Sequence, residues 1–389
     1  MQNSYLLELI NEAKNRGGGM ILNSDNQPAV VVLTIEKYNE LIASGKLPVL
    51  SSTELLQQSI PATSKIKHQK VLVTGGAGYI GGHLVYELIR DGYEVVILDN
   101  LSTGKRENLH AEALFIEGDL FDDNLLRDIF SAHKIDAVFH MAASLEVEES
   151  VKFPDKYLQN NVANTIKLLQ VMAESGVKNI IFSSTAAVYG ENGVGLITES
   201  SPLKPNNPYG VSKLQAERVI KYYCDFLGFK AVIFRYFNAC GFNLSSNILP
   251  THGSHLIYNV LQVAKGAKPH LEVFGNDYET FDGTCIRDYV HVSDIVLPHI
   301  QALKKLDTLE NFQIYNIGTG KGCSVEQVVT TASEVLNKII PMQVAPRRPG
   351  DAPITVADNS KLLNNLGYKL QFSHLENMIQ TSWEVIKKI

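Results

Sequence analysis

The sequence predicts an α/β protein built on a doubly wound parallel sheet, with a smaller mixed α/β C-terminal domain and a small α+β N-terminal appendage. From Lys70 onwards, short apolar runs alternate with helix-like stretches, which is typical of parallel strands joined by crossover helices. The first apolar run leads into a glycine-rich turn, and an acidic residue closes the second. We therefore expect a ligand along the carboxyl ends of the strands.

Composition excludes several classes of function. The chain has 389 residues, 45% hydrophobic and 20% charged, which suits a globular protein with room for two domains. A net charge of -6 argues against a nucleic-acid-binding surface. No apolar run reaches bilayer length, and the N-terminus lacks the basic segment and apolar core that are typical of a signal peptide, so we expect a cytoplasmic protein. The cysteines form no CxxC pair, and we expect them to be reduced, with no metal site: Cys224, Cys240, Cys285 and Cys323.

The first 68 residues precede the predicted sheet. Residues 6–13 and 35–42 suggest helices, and residues 20–22 and 29–33 suggest two strands around a polar turn. This order is similar to the N-terminal half of Phd/YefM-type antitoxins, which dimerise and bind operator DNA. Residues 1–60 hold four basic and six acidic side chains, a balance that disfavours DNA binding. We expect a small dimerisation or interaction module for an unidentified protein partner, or a relic of fusion.

The glycine-rich turn has the spacing of a dinucleotide-binding loop. Gly75 permits the sharp turn, Gly78 lets the backbone approach a pyrophosphate, and Gly81 lets the helix pack close to its strand. The following helix presents unpaired N–H groups to the phosphates. Asp99 ends the second strand, residues 94–98, and can accept both ribose hydroxyls of an adenosine. Since it would repel a 2′-phosphate, the sequence favours NAD over NADP.

Later strand ends add candidate contacts. Asp119 follows the strand at residues 113–117 and can reach an adenine amino group, or it can cap the helix that starts near Asp122. The strand at residues 136–140 opens into three small or flexible residues that allow close approach of a dinucleotide, namely Met141, Ala142 and Ala143. The next helix contains Asn160 and Asn161.

A candidate acid–base group follows the fifth strand. Thr185 ends that strand, and Tyr209 and Lys213 lie four residues apart on one face of a later helix. A cation beside a phenol favours the phenolate, so we expect the pKa of Tyr209 to be lowered towards neutrality. Thr185 can relay a proton between a substrate hydroxyl and Tyr209, and Lys213 can hold the nicotinamide ribose. Together they predict oxidation of an alcohol while NAD takes the hydride.

Residues 70–389 resemble the nucleotide-sugar epimerases of the extended short-chain dehydrogenase/reductase family, whose cofactor domain has the Rossmann fold. The motifs that carry the resemblance lie at residues 74–83, 98–100, 118–119, 160–162, 235–238, 274–278, 282–284, 287–291 and 346–351. The last four lie outside the cofactor domain and are the most specific to this group.

The resemblance implies a role for each matching residue. Tyr209 is the base, Lys213 its activator and Thr185 the hydroxyl partner. The residues that fall where the family contacts NAD are Gly75, Gly78, Tyr79, Ile80, Gly81, Asp99, Asn100, Asp119, Leu120, Met141, Ala142, Ala143, Asn161, Lys213 and Phe237. Those that fall at the UDP-sugar are Thr185, Tyr209, Asn238, His255, Val273, Phe274, Arg287, Arg348, Asp351 and Thr355. Two arginines suit a diphosphate.

The activity implied is interconversion of UDP-glucose and UDP-galactose. The hexose is oxidised at C4, the 4-keto sugar turns its other face, and reduction inverts the configuration, so NAD remains bound throughout. The resemblance also implies a homodimer through helices near residues 155–175 and 207–227. The expected domains are the appended module at 1–47, a linker at 48–68, an NAD-binding domain at 69–238 to which 276–311 returns, and a mainly UDP-sugar-binding domain at 239–389.

Some positions depart from the family pattern. Leu145 stands where some epimerases have a lysine near the cofactor, and His255 where some have an asparagine. Thr355 stands where a tyrosine narrows the sugar pocket in some relatives, so we hypothesise that UDP-GlcNAc and UDP-GalNAc are also accepted.

Some other functions would require different residues at these positions. A 4,6-dehydratase needs an Asp-Glu pair after the threonine, but Ala186 and Ala187 stand there. A UDP-uronate epimerase or decarboxylase remains open. A catalytically silent NAD-binding regulator would be expected to have lost Tyr209 or Lys213, and both are present.

Overall fold

The computed structural model describes residues 18–22, 28–33, 69–191, 195–251, 255–348 and 351–389. The chain divides into two compact units, Met1–Lys67 and His68–Ile389. In the first unit, β1 (Gly18–Leu22) and β2 (Pro28–Leu33) pair antiparallel. The two strands expected in the appendage are therefore confirmed, while its expected helices and the linker lie outside the described residues.

The second unit alternates strands and helices. Its strands are β3 (Lys70–Thr74), β4 (Glu94–Asp99), β5 (Leu114–Glu117), β6 (Ala137–His140), β7 (Asn179–Thr185), β8 (Lys230–Tyr236), β9 (Asn238–Cys240), β10 (Leu271–Phe274), β11 (Ile286–His291), β12 (Phe312–Ile317), β13 (Gly322–Ser324), β14 (Met342–Ala345) and β15 (Ile354–Thr355). Its α-helices are α1 (Tyr79–Arg90), α2 (Asp123–Ala132), α3 (Val147–Lys152), α4 (Pro154–Leu158), α5 (Asn164–Glu174), α6 (Pro208–Leu227), α7 (Leu256–Lys265), α8 (Val292–Lys305), α9 (Val325–Leu336) and α10 (Leu375–Ile386).

The main sheet confirms the predicted fold class. Its seven strands run in the order β12-β8-β7-β6-β3-β4-β5, and every neighbouring pair is parallel. The order reverses between β3 and β6, which places a crevice at the carboxyl ends of these strands. The strands are apolar on both faces because helices cover both faces of the sheet.

Helices bury an apolar stripe on each face of this sheet. On one face, Leu84 and Leu88 of α1 share a core with Ile295 and Ile300 of α8. On the other face, α2, α5 and α6 contribute buried leucines, isoleucines and alanines to a second core. The spacing of three or four residues between these side chains gives each helix one buried side.

The longest helix has clear start and stop signals. The side chain of Asn207 accepts a hydrogen bond from the Gly210 amide, and Pro208 occupies the first turn. Gly228 ends α6 with φ +67°, a conformation that glycine adopts at low cost. These signals fix where α6 begins, and so fix the position of Tyr209 in its first turn.

The C-terminal part forms a smaller α/β layer. In its sheet, β11 pairs antiparallel with β13 and parallel with β15 and β9. A separate parallel pair joins β10 to β14, and α7, α9 and α10 bury a third core against these strands. Of the stretch 276–311 that was expected to return to the cofactor domain, α8 packs on the main sheet, β11 belongs to the smaller sheet, and β12 follows as an outer strand of the main sheet.

Three further observations concern the described part of the chain. No helix there is both long and apolar enough to cross a bilayer. Among the same residues, no cluster of three or more histidine, cysteine or acidic side chains could hold a metal ion. The four cysteines are free thiols.

Candidate active site

One cavity of about 1160 Å³ runs along the carboxyl ends of the main-sheet strands and reaches the C-terminal part. Its walls include every sequence-predicted site residue except Asn161. The residues expected to bind NAD, to transfer the proton and to bind the UDP-sugar therefore line one continuous space. The role of each residue stays a prediction.

The glycine loop brings backbone very close to backbone. Gly78 donates its N–H to the Gly75 carbonyl at 3.1 Å. A Cβ at Gly81 would lie 2.1 Å from that same oxygen, and a Cβ at Gly75 would lie 2.7 Å from the Ala142 nitrogen. Helix α1 begins at Tyr79 without a side-chain cap, so its first N–H groups and positive dipole end face the cavity unneutralised. This arrangement fits a diphosphate.

Asp99 is held in place by the loops on either side. One carboxylate oxygen accepts the Ala77 amide at 3.0 Å, and the other accepts the Leu101 amide at 2.9 Å. Each oxygen keeps a lone pair that can accept a ribose hydroxyl. Burial raises the pKa of Asp99 from its ordinary value, although both amide hydrogen bonds oppose this.

The Asn100 amide donates to Asp119 at 2.6 Å and so joins two strand ends. Asp119 also accepts the Phe121 amide at 2.8 Å. The suggestion that Asp119 caps the next helix is wrong, because Asp122 is the cap and accepts two amides of the first turn.

Thr185, Tyr209 and Lys213 come together on the cavity wall. Thr185 ends β7, where its hydroxyl accepts the Ala187 amide at 3.1 Å and hydrogen-bonds Tyr209. Lys213 lies one helical turn after Tyr209, is buried, and places its Nζ 4.3 Å from the centre of the Phe182 ring. The predicted spacing and order of the three residues therefore produce one cluster.

The expected pKa of Tyr209 is wrong for the protein alone. Burial raises it above its ordinary value, and this outweighs the hydrogen bond from Thr185, which lowers it. The nearby carboxylate of Glu146 raises it further. Burial also lowers the pKa of Lys213 to about 7, because the cavity wall disfavours an ammonium. A lysine that is only partly charged near pH 7 is a weak activator of its neighbour.

A second tyrosine supports Tyr209 from the side. The ring of Tyr157 meets that of Tyr209 edge-on, with centroids 6.4 Å apart. The Tyr157 hydroxyl donates to the Glu146 carbonyl at 2.6 Å and lies 2.8 Å from a Glu149 carboxylate oxygen. Tyr157 thus joins the catalytic helix to the cavity wall at Glu146. The sequence analysis missed it, since its distance from Tyr209 along the chain gives no periodic signal.

A buried ion pair lies one turn beyond Lys213. Glu217 and Arg235 share two hydrogen bonds, and Ser184 donates to the same carboxylate. Arg235 also donates to the Tyr189 hydroxyl at 2.9 Å. The network ties α6 to the ends of β7 and β8. Its sequence signal was the placement of Glu217 eight residues after Tyr209, on the same helical face.

The opposite end of the cavity carries the residues expected to hold the nucleotide-sugar. The Arg348 guanidinium lies 3.9 Å from the centre of the Phe274 ring, and Arg287 pairs with Asp351 at 3.4 Å. The Asn238 amide donates to the Asp288 carbonyl at 2.9 Å. The remaining expected residues on this wall are Val273, His255 and Thr355.

Asn161 is the exception among the expected site residues. Its amide donates to the Ser144 carbonyl and the Ser212 hydroxyl, both at 2.9 Å, and its oxygen accepts the Ser144 amide at 2.8 Å. It therefore supports the wall from behind, while Asn160 lines the cavity. Both belong to a π-helical turn, Gln159–Ala163, whose wider winding shifts which side chain faces inwards. That turn cannot be read from helical periodicity.

Known proteins are similar to this chain in sequence and in fold. Residues 71–318 match the NAD dependent epimerase/dehydratase family. The chain is 44% identical to the UDP-glucose 4-epimerase of Halalkalibacterium halodurans over 315 residues, 80% of this chain and 94% of that one. It is also similar to the structure of UDP-glucose 4-epimerase from Brucella ovis in complex with NAD, with a TM-score of 0.79 and 38% identity over 82% of this chain and 98% of that one. The enzyme from Bifidobacterium longum in complex with NAD⁺ and UDP gives a TM-score of 0.76 and 36% identity over 82% and 98%.

Proposed function

Because this chain belongs to the NAD-dependent epimerase/dehydratase family, we propose that it interconverts UDP-glucose and UDP-galactose as an NAD-dependent 4-epimerase. The observation that carries the proposal is the single cavity that joins three groups of residues. A dinucleotide cradle lies at one end and an arginine-rich nucleotide end at the other, with Tyr209 and Thr185 on the wall. This is the layout that oxidation and re-reduction of a tethered sugar require.

The residues present fit NAD. The uncapped start of α1 suits the pyrophosphate, and the crowded glycines leave no room for side chains in the loop that would hold it. Asp99 suits a ribose with both hydroxyls free. When bound, NAD supplies the acceptor and donor of a hydride for C4 of the sugar.

The chain's own residues handle the proton. Tyr209 takes the proton of the C4 hydroxyl during oxidation and returns it during reduction. Thr185 orients the Tyr209 hydroxyl through their hydrogen bond and offers an acceptor to the sugar hydroxyl. Lys213 places an amine that is only partly charged near pH 7 on the same helical face, so its share in stabilising the charge that develops on Tyr209 is small in the protein alone. A positive neighbour supplied by the oxidised cofactor would add to that stabilisation.

Substrate choice follows from the two ends of the cavity. Arg287 and Arg348 suit a diphosphate, and Phe274 offers an aromatic face to a base. The small side chain of Thr355 lies on the same wall, so we extend the proposal to UDP-GlcNAc and UDP-GalNAc. Ala186 and Ala187 also line the cavity and offer no acid or base for dehydration.

We propose a homodimer through α4 and α6. Leu158 on α4 and Tyr222 on α6 are exposed, and Phe226 is 76% exposed. Tyr222 and Phe226 stack with ring centroids 5.9 Å apart, so they form one apolar surface. A second copy that covers this surface would remove it from water. Light scattering would give twice the chain mass, and Phe226→Glu should shift the protein towards the monomer.

The decisive experiment incubates purified protein with UDP-galactose and no added NAD, alongside Tyr209→Phe. We expect the wild type to form UDP-glucose and the variant to lose nearly all turnover while retaining NAD. The same assay with UDP-GlcNAc tests the role given to Thr355. If NAD is present after denaturation but UDP-galactose is unchanged, the proposed substrate is wrong. If Tyr209→Phe turns over like the wild type, the proposed base is wrong.

A further inference from the structure

Two consecutive arginines follow β14, and each stacks on an aromatic ring, one at the end of β10 and the other in the loop that follows β10. Arg348 lies 3.9 Å from the centre of the Phe274 ring, on the cavity wall. Arg347 lies 4.2 Å from the centre of the Tyr278 ring and is absent from the cavity wall. The two side chains therefore have different surroundings. Arg348 can contact a nucleotide in the cavity, whereas Arg347 cannot.

Arg347 also forms an ion pair with Asp277. Its Nε lies 2.7 Å from the Asp277 carboxylate, and its terminal nitrogen donates to the Asp277 carbonyl. This ion pair lowers the pKa of Asp277 below its ordinary value. The Arg347 guanidinium thus contacts a carboxylate, a backbone carbonyl and the face of a ring at once. Because the guanidinium is planar and rigid, it loses little conformational entropy for each contact that it makes.

Gly275 makes room for this contact. It has φ +83°, and a Cβ there would lie 2.6 Å from Cγ of Arg347 and 2.8 Å from Cε2 of Tyr278. The Gly275 amide donates to the Ala345 carbonyl at 2.9 Å, which continues the pairing of β10 with β14. The stem of Arg347 therefore passes directly over the backbone at this glycine.

The segment that receives Arg347 is itself held firmly. Tyr278 donates its amide to the Gly283 carbonyl at 2.9 Å, which closes the loop. Asp282 accepts the Thr284 amide at 2.9 Å and also a hydrogen bond from Ser324 at the start of α9. The Tyr278 hydroxyl has no hydrogen-bond partner among the described residues, so its contribution comes from its ring.

The residues on the other side of Arg347 line the nucleotide end of the cavity. The Arg348 carbonyl accepts the Asp351 amide at 3.2 Å, and Asp351 pairs with Arg287 at 3.4 Å. Arg348, Asp351 and Arg287 all lie on the cavity wall. Because Arg347 is held by its contacts, it restrains the position of the next residue, Arg348. Through Asp351 it also restrains the position of Arg287.

We infer that Arg347 is a positioning residue for the UDP end of the substrate: it latches the segment that bears Arg348 and Asp351 onto the platform formed by Asp277 and Tyr278. This inference rests on the proposed function. The latch acts on the nucleotide and not on the sugar, because its contacts lie beyond the nucleotide end of the cavity. It supplies the firm grip on UDP that leaves the hexose free to turn over between oxidation and reduction.

The test uses Arg347→Met in the full-length holoenzyme. We expect the Kd for UDP and the KM for UDP-galactose and UDP-glucose to rise by one common factor, with kcat and bound NAD unchanged. That factor is about five- to tenfold, the size of one exposed cation–π contact and one charge-assisted hydrogen bond together. Calorimetry with UDP gives the Kd without any turnover.

Matched variants distinguish the loss of the latch, that is, of the contacts of Arg347 with Asp277 and Tyr278, from a general loss of stability. Tyr278→Phe keeps the ring and should bind UDP like the wild type, whereas Tyr278→Leu should resemble Arg347→Met and add little to it in the double variant. Arg127→Met removes an exposed ion pair with Glu174 on the far side of the main sheet and should change nothing.

Three results would overturn the latch while leaving the proposed function intact. They are an unchanged Kd for UDP in Arg347→Met, a loss confined to kcat, and a factor that differs between the two sugars. If the wild type itself fails to bind UDP, the proposed function falls and the latch falls with it.

Discussion

Glu217 of α6 and Arg235 of β8 form a buried, two-pronged ion pair between that helix and the main sheet. The Nε of Arg235 lies 3.0 Å from one carboxylate oxygen and its Nη2 lies 2.6 Å from the other. Both side chains are almost inaccessible to water. Because Ser184 donates to the same carboxylate, the pair also holds the strand end that presents Thr185. Each of these two buried charges is stabilised by the other, so removing one leaves the other without compensation.

Removing one member of this pair should destabilise the protein strongly. Glu217→Gln leaves the Arg235 charge buried without compensation, so we expect the free energy of unfolding to fall by about 3–5 kcal/mol. Denaturant titration followed by circular dichroism measures this. Asp225→Asn, which breaks an exposed pair on the same helix, should have almost no effect. Equal stability of the two variants would show that the buried pair is dispensable.

Lys213 should lower the free energy of unfolding at neutral pH, because its amine is buried in the cavity wall. Burial lowers its folded-state pKa from 10.5 to about 7, so between these values the unfolded chain binds more protons than the folded protein. The contribution of Lys213 to the stability of the folded protein should therefore become less unfavourable as pH increases from about 7 to 10.5, and below about pH 7 its full unfavourable effect is present. Lys213→Met should be inactive but should melt at a higher temperature than the wild type at pH 6.5.

The difference in melting temperature between Lys213→Met and the wild type should shrink as the pH is raised towards 10. Thermal unfolding of both proteins in matched buffers measures it. A constant difference across this range would mean that Lys213 keeps an ordinary pKa in the folded protein.

Glu146 should contribute to the pH dependence of turnover. Burial is the main cause that raises the pKa of Tyr209, and the Glu146 carboxylate raises it further, so Glu146→Gln should lower that pKa. The acidic limb of the kcat/KM profile should then move to lower pH, because the phenolate forms earlier. Glu148→Gln, a neighbour that also lines the cavity, serves as the control and should leave the limb in place. If the acidic limb of the profile does not move in Glu146→Gln, the group that titrates in this limb is not Tyr209.

Asp99 should decide whether the purified protein retains its cofactor. Asp99→Asn keeps one acceptor for the Ala77 or Leu101 amide but loses the charge that receives ribose hydroxyls. We expect the Kd for NAD to rise about tenfold, the usual scale for a hydrogen bond to a charged group, and the NAD recovered per chain after denaturation to fall. Undiminished NAD in this variant would contradict the role of Asp99.

The sequence predicted best where one element fixes the geometry. Asp99 and Thr185 each end a strand, and parallel strands bring their carboxyl ends to one edge, so both were placed correctly. Tyr209 and Lys213 lie one turn apart on a helix whose start is marked by Asn207 and Pro208. Local spacing and sheet topology are enough for such residues.

Prediction failed where the answer depends on three-dimensional surroundings. The choice between Asn160 and Asn161 depends on a π-helical turn, and periodicity assumes a regular helix. The pKa of Tyr209 depends on how much water its hydroxyl loses, which no spacing records. Arg347 pairs with Asp277, which lies seventy positions earlier in the chain. The motif at residues 346–351 therefore contained Arg347 but gave no sign of the residue with which it pairs.

The position of β12 in the main sheet also determines when this protein can complete its folding during synthesis. Strand β8 pairs with β12 along its whole length, and α8 supplies Ile295 and Ile300 to the core beneath α1. Both elements leave the ribosome only after β9, β10 and β11 have been made. Until then the nascent cofactor unit has a free edge strand and an uncovered apolar face. The cofactor and substrate parts therefore mature together, and a chain cut after β8 would be prone to aggregate rather than bind NAD.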